Sequence, residues 1–281
     1  ANSINWMAGI INGTGNFIMT EMASKQRQFE DVLAEAQKLG YAEADPSFDI
    51  DGIDTAHKLS ILTALAFGEE VDFDGVHVDG IRHITADDIA FADELGYRIK
   101  LLGIARRTEA GIEQRVHPCM IARDQPIAQV DGVHNAVVAL GDSVGSTVFV
   151  GPGAGAGPTA SAVVADLADI ARGHRLPAFA IAASSLSRAN TASMERHQSA
   201  YYLRLLVVDR PGVIANVAAA LRDNDISMGS MIQRGRDPGE PVPVVITTHV
   251  TEEAAMMRAL VRIAGFEAIV EAPRMIRIES L

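Results

Sequence analysis

Cys119 is the only cysteine in 281 residues, so no internal disulfide can form, and a reducing, cytoplasmic setting is the natural expectation. Basic residues are also scarce: 24 Lys and Arg stand against 36 Asp and Glu, for a formal charge of -12. With no run of lysines or arginines as a local exception, nucleic acid and anionic membrane are excluded as partners. No stretch reaches the roughly 18 uninterrupted apolar residues of a membrane span. The first residues lack the basic start and small-residue cleavage pattern of a signal peptide. There is no initiator methionine, which suggests a piece of something longer. Histidines 83, 117, 134, 174 and 197 are scattered without ligand spacing and no cysteine pair accompanies them, so no metal site is expected.

What is present is apolar: 48% hydrophobic residues supply the cores of two medium domains. INWMAGII (4–11) reads as a strand entering a glycine turn. The helix after it is expected to be capped by Thr14 or Asn16. A second helix is expected over about Gln26–Leu39, with Phe29, Val32, Leu33, Ala36 and Leu39 inward, and a third over about Asp51–Phe67, closed by Gly68. Residues 70–150 mix strands and helices, including IRHI (81–84) as a strand. GPGAGAGPTASAVVADLADIAR follows a strand and opens a helix near Thr159. As a dinucleotide fingerprint it is weak, because no acid follows about 20 residues on to meet a ribose hydroxyl. From residue 200 the order is βαββαβ, a ferredoxin-like arrangement. The fold class is therefore α+β: a mixed-sheet first domain and a ferredoxin-like second one.

YAEADPSFDIDGIDTAHK (41–58) crowds Glu43, Asp45, Asp49, Asp51 and Asp54 around one lysine, Lys58. Asp54 and Lys58 are four apart on a helix, so their side chains are neighbours. A helical projection places both inside an arc of Leu59, Ile61, Leu62, Leu65 and Ala66, with His57, Ser60 and Ala64 outside. Lysine in an apolar face needs a partner, so Asp54 is obligatory whether the pair is structural or functional. Asp45, before proline, and Asp51 suit turn and cap positions. Glu43 and Asp49 are surplus, and surplus acids near a sheltered site await a cation such as a ligand ammonium.

GIINGTGNFIMTEM, YAEADPSFDIDGIDTAHKL and GPGAGAGPTASAVVADL, in this order and spacing, resemble the homoserine dehydrogenase family over nearly the whole chain. The resemblance implies NAD(P)-dependent interconversion of L-homoserine and L-aspartate 4-semialdehyde in threonine and methionine biosynthesis. It also implies that the family's Rossmann-type cofactor domain lies upstream of Ala1. Lys58, Asp54 and Asp49 become the catalytic candidates, and Gly13, Thr14, Tyr41 and Glu43 the substrate contacts. By the same resemblance Glu43 would hold the ammonium, Gly13 and Thr14 the carboxylate, and Lys58 the reacting oxygen. Gly153, Gly155 and Thr159 would lie beside NADP or NAD, and the Thr159 helix would pack on the cofactor domain. Without that domain its Val163, Val164, Leu167 and Ile170 face would be uncovered, inviting aggregation or disorder.

The C-terminal unit resembles an ACT domain through its element order and VDRPGVIANVAAAL. Asp209, Gly212, Val213, Asn216 and Gln233 are its effector-site candidates, with L-threonine implied as effector and a homodimer or homotetramer as the assembly. Expected boundaries are 1–158 for the substrate domain, 159–175 for the docking helix, 176–199 for a linker and 200–281 for the ACT domain. The competing reading is a non-catalytic amino-acid-binding dimerisation module, separable by whether upstream coding sequence exists.

Overall fold

A computed structural model describes residues 2–188, 190–234 and 240–281. The chain divides into two units: 1–90, 99–118 and 123–192 form the first, and 91–98, 119–122 and 193–281 the second. The strands are β1 Ile4–Ile10, β2 His77–Val78, β3 Tyr97–Thr108, β4 Gly111–Ala122, β5 His134–Gly141, β6 Gly145–Pro152, β7 Gln198–Val208, β8 Met228–Gln233, β9 Pro241–Thr248, β10 Thr251–Glu252 and β11 Arg274–Glu279. The helices are α1 Gly13–Lys25, α2 Phe29–Lys38, α3 Ser47–Ile50, α4 Ile53–Phe67, α5 Ala86–Glu94, α6 Ala156–Ala171, α7 Val213–Arg222 and α8 Glu253–Ala264. The α+β expectation holds.

In the first unit the sheet runs β6-β5-β1-β3-β4, with the short β2 added in parallel to β4. β1 is central, pairing antiparallel with both β3 and β5, and is buried without alternation from Met7 to Ile10. Flanked by strands on both sides, it delivers the chain at Ile11 directly into the start of α1.

Several local expectations are corrected. Asn12, not Thr14 or Asn16, caps α1, its Oδ1 accepting from Gly15 N at 2.7 Å. α2 starts at Phe29 and leaves Leu39 exposed. Residues 81–84 form turns, not a strand, anchored by buried Ile81 and Ile84. α6 begins at Ala156, three residues before Thr159, and buries none of its residues.

The largest correction concerns α4. Its buried face is Thr55, Ala56, Leu59, Ser60, Thr63, Ala64 and Phe67, while Ile61 and Leu65 are 48% and 43% exposed. α4 is apolar nearly all round, so periodicity offered two faces and packing chose the other. Small hydroxylated residues go inside because two of them satisfy themselves on their own helix: Ser60 Oγ donates to His57 O at 2.9 Å and Thr63 Oγ1 to Leu59 O at 2.8 Å. Gly103 on β3 makes the close approach possible, since a Cβ there would lie 3.3 Å from Thr55 Cγ2 and 3.4 Å from Leu59 Cδ1. Gly52, at φ 82°, turns the chain into α4 in a conformation that glycine alone adopts freely.

The second unit follows β7-α7-β8-β9-α8-β11, with the small β10 pairing β7, and its sheet order β11-β7-β9-β8 is antiparallel throughout. Alternate β7 residues Tyr201, Leu203, Leu205 and Val207 share a core with Val217 and Leu221 of α7 and Met256 and Ile263 of α8. Period 2 on the strand and period 3.6 on the helices therefore converge on one apolar layer.

Candidate active site

Two turns and the start of α4 build the site in the first unit. Asn12 stands where β1 hands over to α1. Its Oδ1 is committed to the cap, and its Nδ2 donates to Asp49 Oδ1 at 2.7 Å and Asp54 Oδ2 at 2.8 Å. One amide thus fixes a helix start and two carboxylates drawn from the short helix α3 and from α4. Lys58, one turn beyond Asp54, donates to Asp54 Oδ2 at 2.7 Å and to Ile11 O at 3.2 Å. Two of its three N–H bonds are engaged, leaving one for a ligand. The lysine is not drawn into the core as expected: its side chain is 50% exposed, against 19% for Asp54, because α4 turns its other face inward.

These groups line a cavity of about 440 Å³, together with Gly13, Thr14, Gly40, Tyr41, Val133 and Asn135, and closed on one side by Gly153, Ala154 and Gly155. The cavity is of ordinary size for a small-molecule site. Thr14 Oγ1 donates to Tyr41 O at 2.6 Å, so the hydroxyl ties the α1 start to the 41–44 loop rather than offering its proton inward. What remains open at the helix start are the Gly13 and Thr14 N–H groups, since Gly15 N is taken by Asn12 Oδ1 and Asn16 N by Asn12 O. Gly13 permits a tight fit, as a Cβ there would lie 3.0 Å from Val133 O.

The five acids separate by partner. Asp49 and Asp54 enter the cavity. Asp51 forms an ion pair with Arg82, which also donates to Ser47 Oγ at 2.8 Å. Asp45 accepts from Ser47 N at 3.1 Å, and hydrogen bonding from Ser47, side chain first and then backbone, holds its carboxyl below the ordinary value. Glu43 is exposed and outside the cavity lining, its carbonyl receiving Gln37 Nε2 at 3.0 Å. Thr159 also lies outside the lining, one turn into α6.

Sequence reasoning missed Asn12 and Asn135. Asn12 carried a readable signal, an asparagine immediately before a Gly-Thr-Gly helix start. Asn135 carried none. Its Oδ1 is buried without a hydrogen-bond partner, and a Cβ on Gly153 would collide with its Nδ2, so the glycine bend between β6 and α6 lies directly on this amide.

Lys100 supports the wall from behind. Its buried ammonium donates to Val130 O at 2.6 Å, Asp131 Oδ1 at 3.0 Å and Asn16 Oδ1 at 3.2 Å. Asn16 Nδ2 lies within 3.2 Å of the carbonyls of Val130, Gly132 and His134. Together they pin the segment that carries Val133 and Asn135.

In the second unit, Gly212, at φ 91°, starts α7; Asp209 N donates to Glu240 O at 3.0 Å. Val213 is buried, whereas Asn216 and Gln233 are exposed, and Gln233 ends the edge strand β8. Among the described residues no helix is long and apolar enough to cross a membrane.

Residues 1–168 match the family model described as homoserine dehydrogenase, and residues 201–265 the ACT domain model. The homoserine dehydrogenase of Pseudomonas aeruginosa is 49% identical over 288 residues, taking in 100% of this chain and 66% of that protein. The crystal structure of a homoserine dehydrogenase from Thiobacillus denitrificans superposes with a TM-score of 0.92 at 50% identity, covering 99% of this chain and 64% of that one. A hyperthermophilic archaeal homoserine dehydrogenase solved in complex with NADPH aligns at TM-score 0.52 and 29% identity over 61% of this chain and 49% of that one. The chain thus spans just under two thirds of the length of its bacterial relatives.

Proposed function

Because the chain belongs to the homoserine dehydrogenase family and carries an ACT domain, we propose that its first unit holds the substrate half of a site that interconverts L-homoserine and L-aspartate 4-semialdehyde. The observation that carries this reading is the Asn12-Asp49-Asp54-Lys58 cluster, whose open valences complement an amino alcohol. The substrate carboxylate lies on the Gly13 and Thr14 N–H groups, at the positive end of the α1 dipole. The ammonium lies on Asp49, whose Oδ1 takes Asn12 and leaves the second oxygen for the ligand. Lys58 directs its remaining N–H at the substrate oxygen, while Asp54 holds that ammonium in place.

The wall also fits a nicotinamide edge: Asn135 lines the cavity and its Oδ1 is an acceptor without a partner, Gly153 packs against that amide, and the α6 start after Gly155 has no side-chain cap. Gly153, Ala154, Gly155 and Asn135 would hold the carboxamide end of NAD or NADP. Contacts to the rest of the cofactor are assigned to the part of the relatives' length that this chain does not span. When bound, the cofactor supplies hydride exchange. The chain's own residues orient the substrate, and Lys58 supplies or takes the proton at its oxygen as charge develops there.

The exposed Val163, Val164, Leu167 and Ile170 face of α6 is assigned to packing on that cofactor-binding part. The ACT domain is assigned to amino-acid regulation, with L-threonine as effector at the Asp209–Val213 turn, and to homodimer or homotetramer formation. Calorimetric titration of the 281-residue chain with L-homoserine and L-threonine tests both sites. Asp49→Asn is expected to weaken homoserine by roughly 10- to 100-fold, the scale of a hydrogen-bonded charge contact, and Glu43→Gln by less than about threefold. The reverse order would move the ammonium to Glu43, and no homoserine heat in any variant would remove the assignment.

A further inference from the structure

A second cavity, of about 370 Å³, shares no lining residue with the Lys58 cavity. It lies in the first unit, between the C-terminal end of α4, the 69–74 loop, β4 and the segment around Arg188 and Thr191. Four carboxylates line it, from Glu69, Glu70, Asp72 and Asp74, against one guanidinium, Arg188. An acidic rim alone means little, since such residues are often simply solvated. The floor carries the second observation. Gln114 is 6% exposed, its Nε2 donates to Asp72 O at 3.2 Å, and its Oε1 is buried with no hydrogen-bond partner. A buried acceptor left unmade is costly, so a group that completes it is favoured.

The other polar groups at the floor point to the same chemistry. Thr63, 3% exposed, uses its only hydroxyl proton on Leu59 O and can offer the cavity nothing but lone pairs. Glu69, 9% exposed, can only accept; it takes Ser187 Oγ at 2.7 Å, with Arg107 Nη1 3.7 Å away. The floor is thus an all-acceptor surface beneath a net negative rim, and a ligand completing it must bring donors and positive charge. A metal ion does not fit, because among the described residues no three of these carboxylates converge closely enough to share one. Val71, Phe73 and Ile112 supply apolar wall between the polar ends. We propose that this cavity is a second ligand site, taking a small aliphatic ammonium compound such as a diamine, with one ammonium on the Gln114-Thr63-Glu69 floor and the alkyl chain against the apolar wall.

The probe is 1,4-diaminobutane, with 1,4-butanediol as its uncharged counterpart, followed by amide NMR and calorimetry on the 281-residue chain. Expected is saturable one-to-one binding of the diamine alone, with shifts at Thr63, Ile112 and Gln114. Thr63→Val keeps the shape of the floor and removes one acceptor, and Glu69→Gln removes the buried charge; each should weaken the diamine by roughly 10- to 100-fold. Absence of saturation up to about 10 mM, an equal response to the diol, shifts confined to the Lys58 cavity, or full affinity in folded Thr63→Val would each overturn the proposal.

Discussion

Asn12→Asp separates the two roles of the residue on which the site is hung. Aspartate caps a helix as well as asparagine, so the bond from Gly15 N is kept. The two amide donors to Asp49 and Asp54 are replaced by a third carboxylate facing both. At about 4 Å and an effective dielectric of about 20, each like-charge contact is worth about 4 kcal/mol, so the folded state takes up a proton instead. The cost is then bounded by protonating an aspartate of ordinary pKa about 3.9, roughly 1.4 kcal/mol per pH unit and about 4 kcal/mol at pH 7. Solvent at the half-exposed Lys58 and its ammonium on Asp54 reduce the repulsion, leaving an expected loss of about 2–3 kcal/mol at pH 7.

The substituted carboxyl has a folded pKa above its unfolded one. The variant therefore matches its parent below about pH 4 and loses stability as pH rises, until the folded pKa is passed. Trp6, the only tryptophan, sits on β1, so its fluorescence in urea titrations between about pH 5 and 8 reports the first unit. Asn12→Ala removes the cap, worth about 1 kcal/mol, together with both amide donors to Asp49 and Asp54, but adds no charge, so its loss should change little across this pH range. A stability difference between Asn12→Asp and parent that stays flat across this range would refute the carboxylate cluster as drawn.

Lys58→Met, in a protein carrying the cofactor-binding part of its relatives, is expected to lower kcat about 10²- to 10⁴-fold, with a much smaller change in homoserine affinity measured by calorimetry. Lys100→Met strands Asn16 Oδ1 and leaves the Val130 carbonyl only its Asn16 Nδ2 donor; it should cost about 1–3 kcal/mol, visible in the same Trp6 transition. In the second unit, burial opposes ionisation of Glu253, but hydrogen bonds and charge from Arg277, aided by Tyr201, outweigh it and hold the carboxyl below its ordinary 4.5. Its contribution is present above about pH 4.5 and lost as pH falls through the lower folded value. Circular dichroism of acid unfolding should therefore show a shallower acid limb in Glu253→Gln than in the parent.

Spacing and order alone carried a good deal: the α+β class, the βαββαβ order of residues 200–281 and the pairing of Asp54 with Lys58. All of these depend on local geometry, because residues four apart on a helix meet wherever the helix goes, and alternation or a 3.6 period survives any packing. Tertiary structure decided which acid belongs to which partner. Arg82 reaches Asp51 from 31 residues away, and Asn12 collects Asp49 and Asp54 from 37 and 42 residues away. Neither separation has a periodicity to read. The face of α4 was equally hidden, since a helix apolar on most sides is oriented by what its neighbours leave room for, here Gly103 on β3. Lys58 and Asp54 therefore stand at the mouth of a cavity instead of inside a core, and Glu43 stays in solvent, because a chain's path through space and not its spacing determines which charges meet.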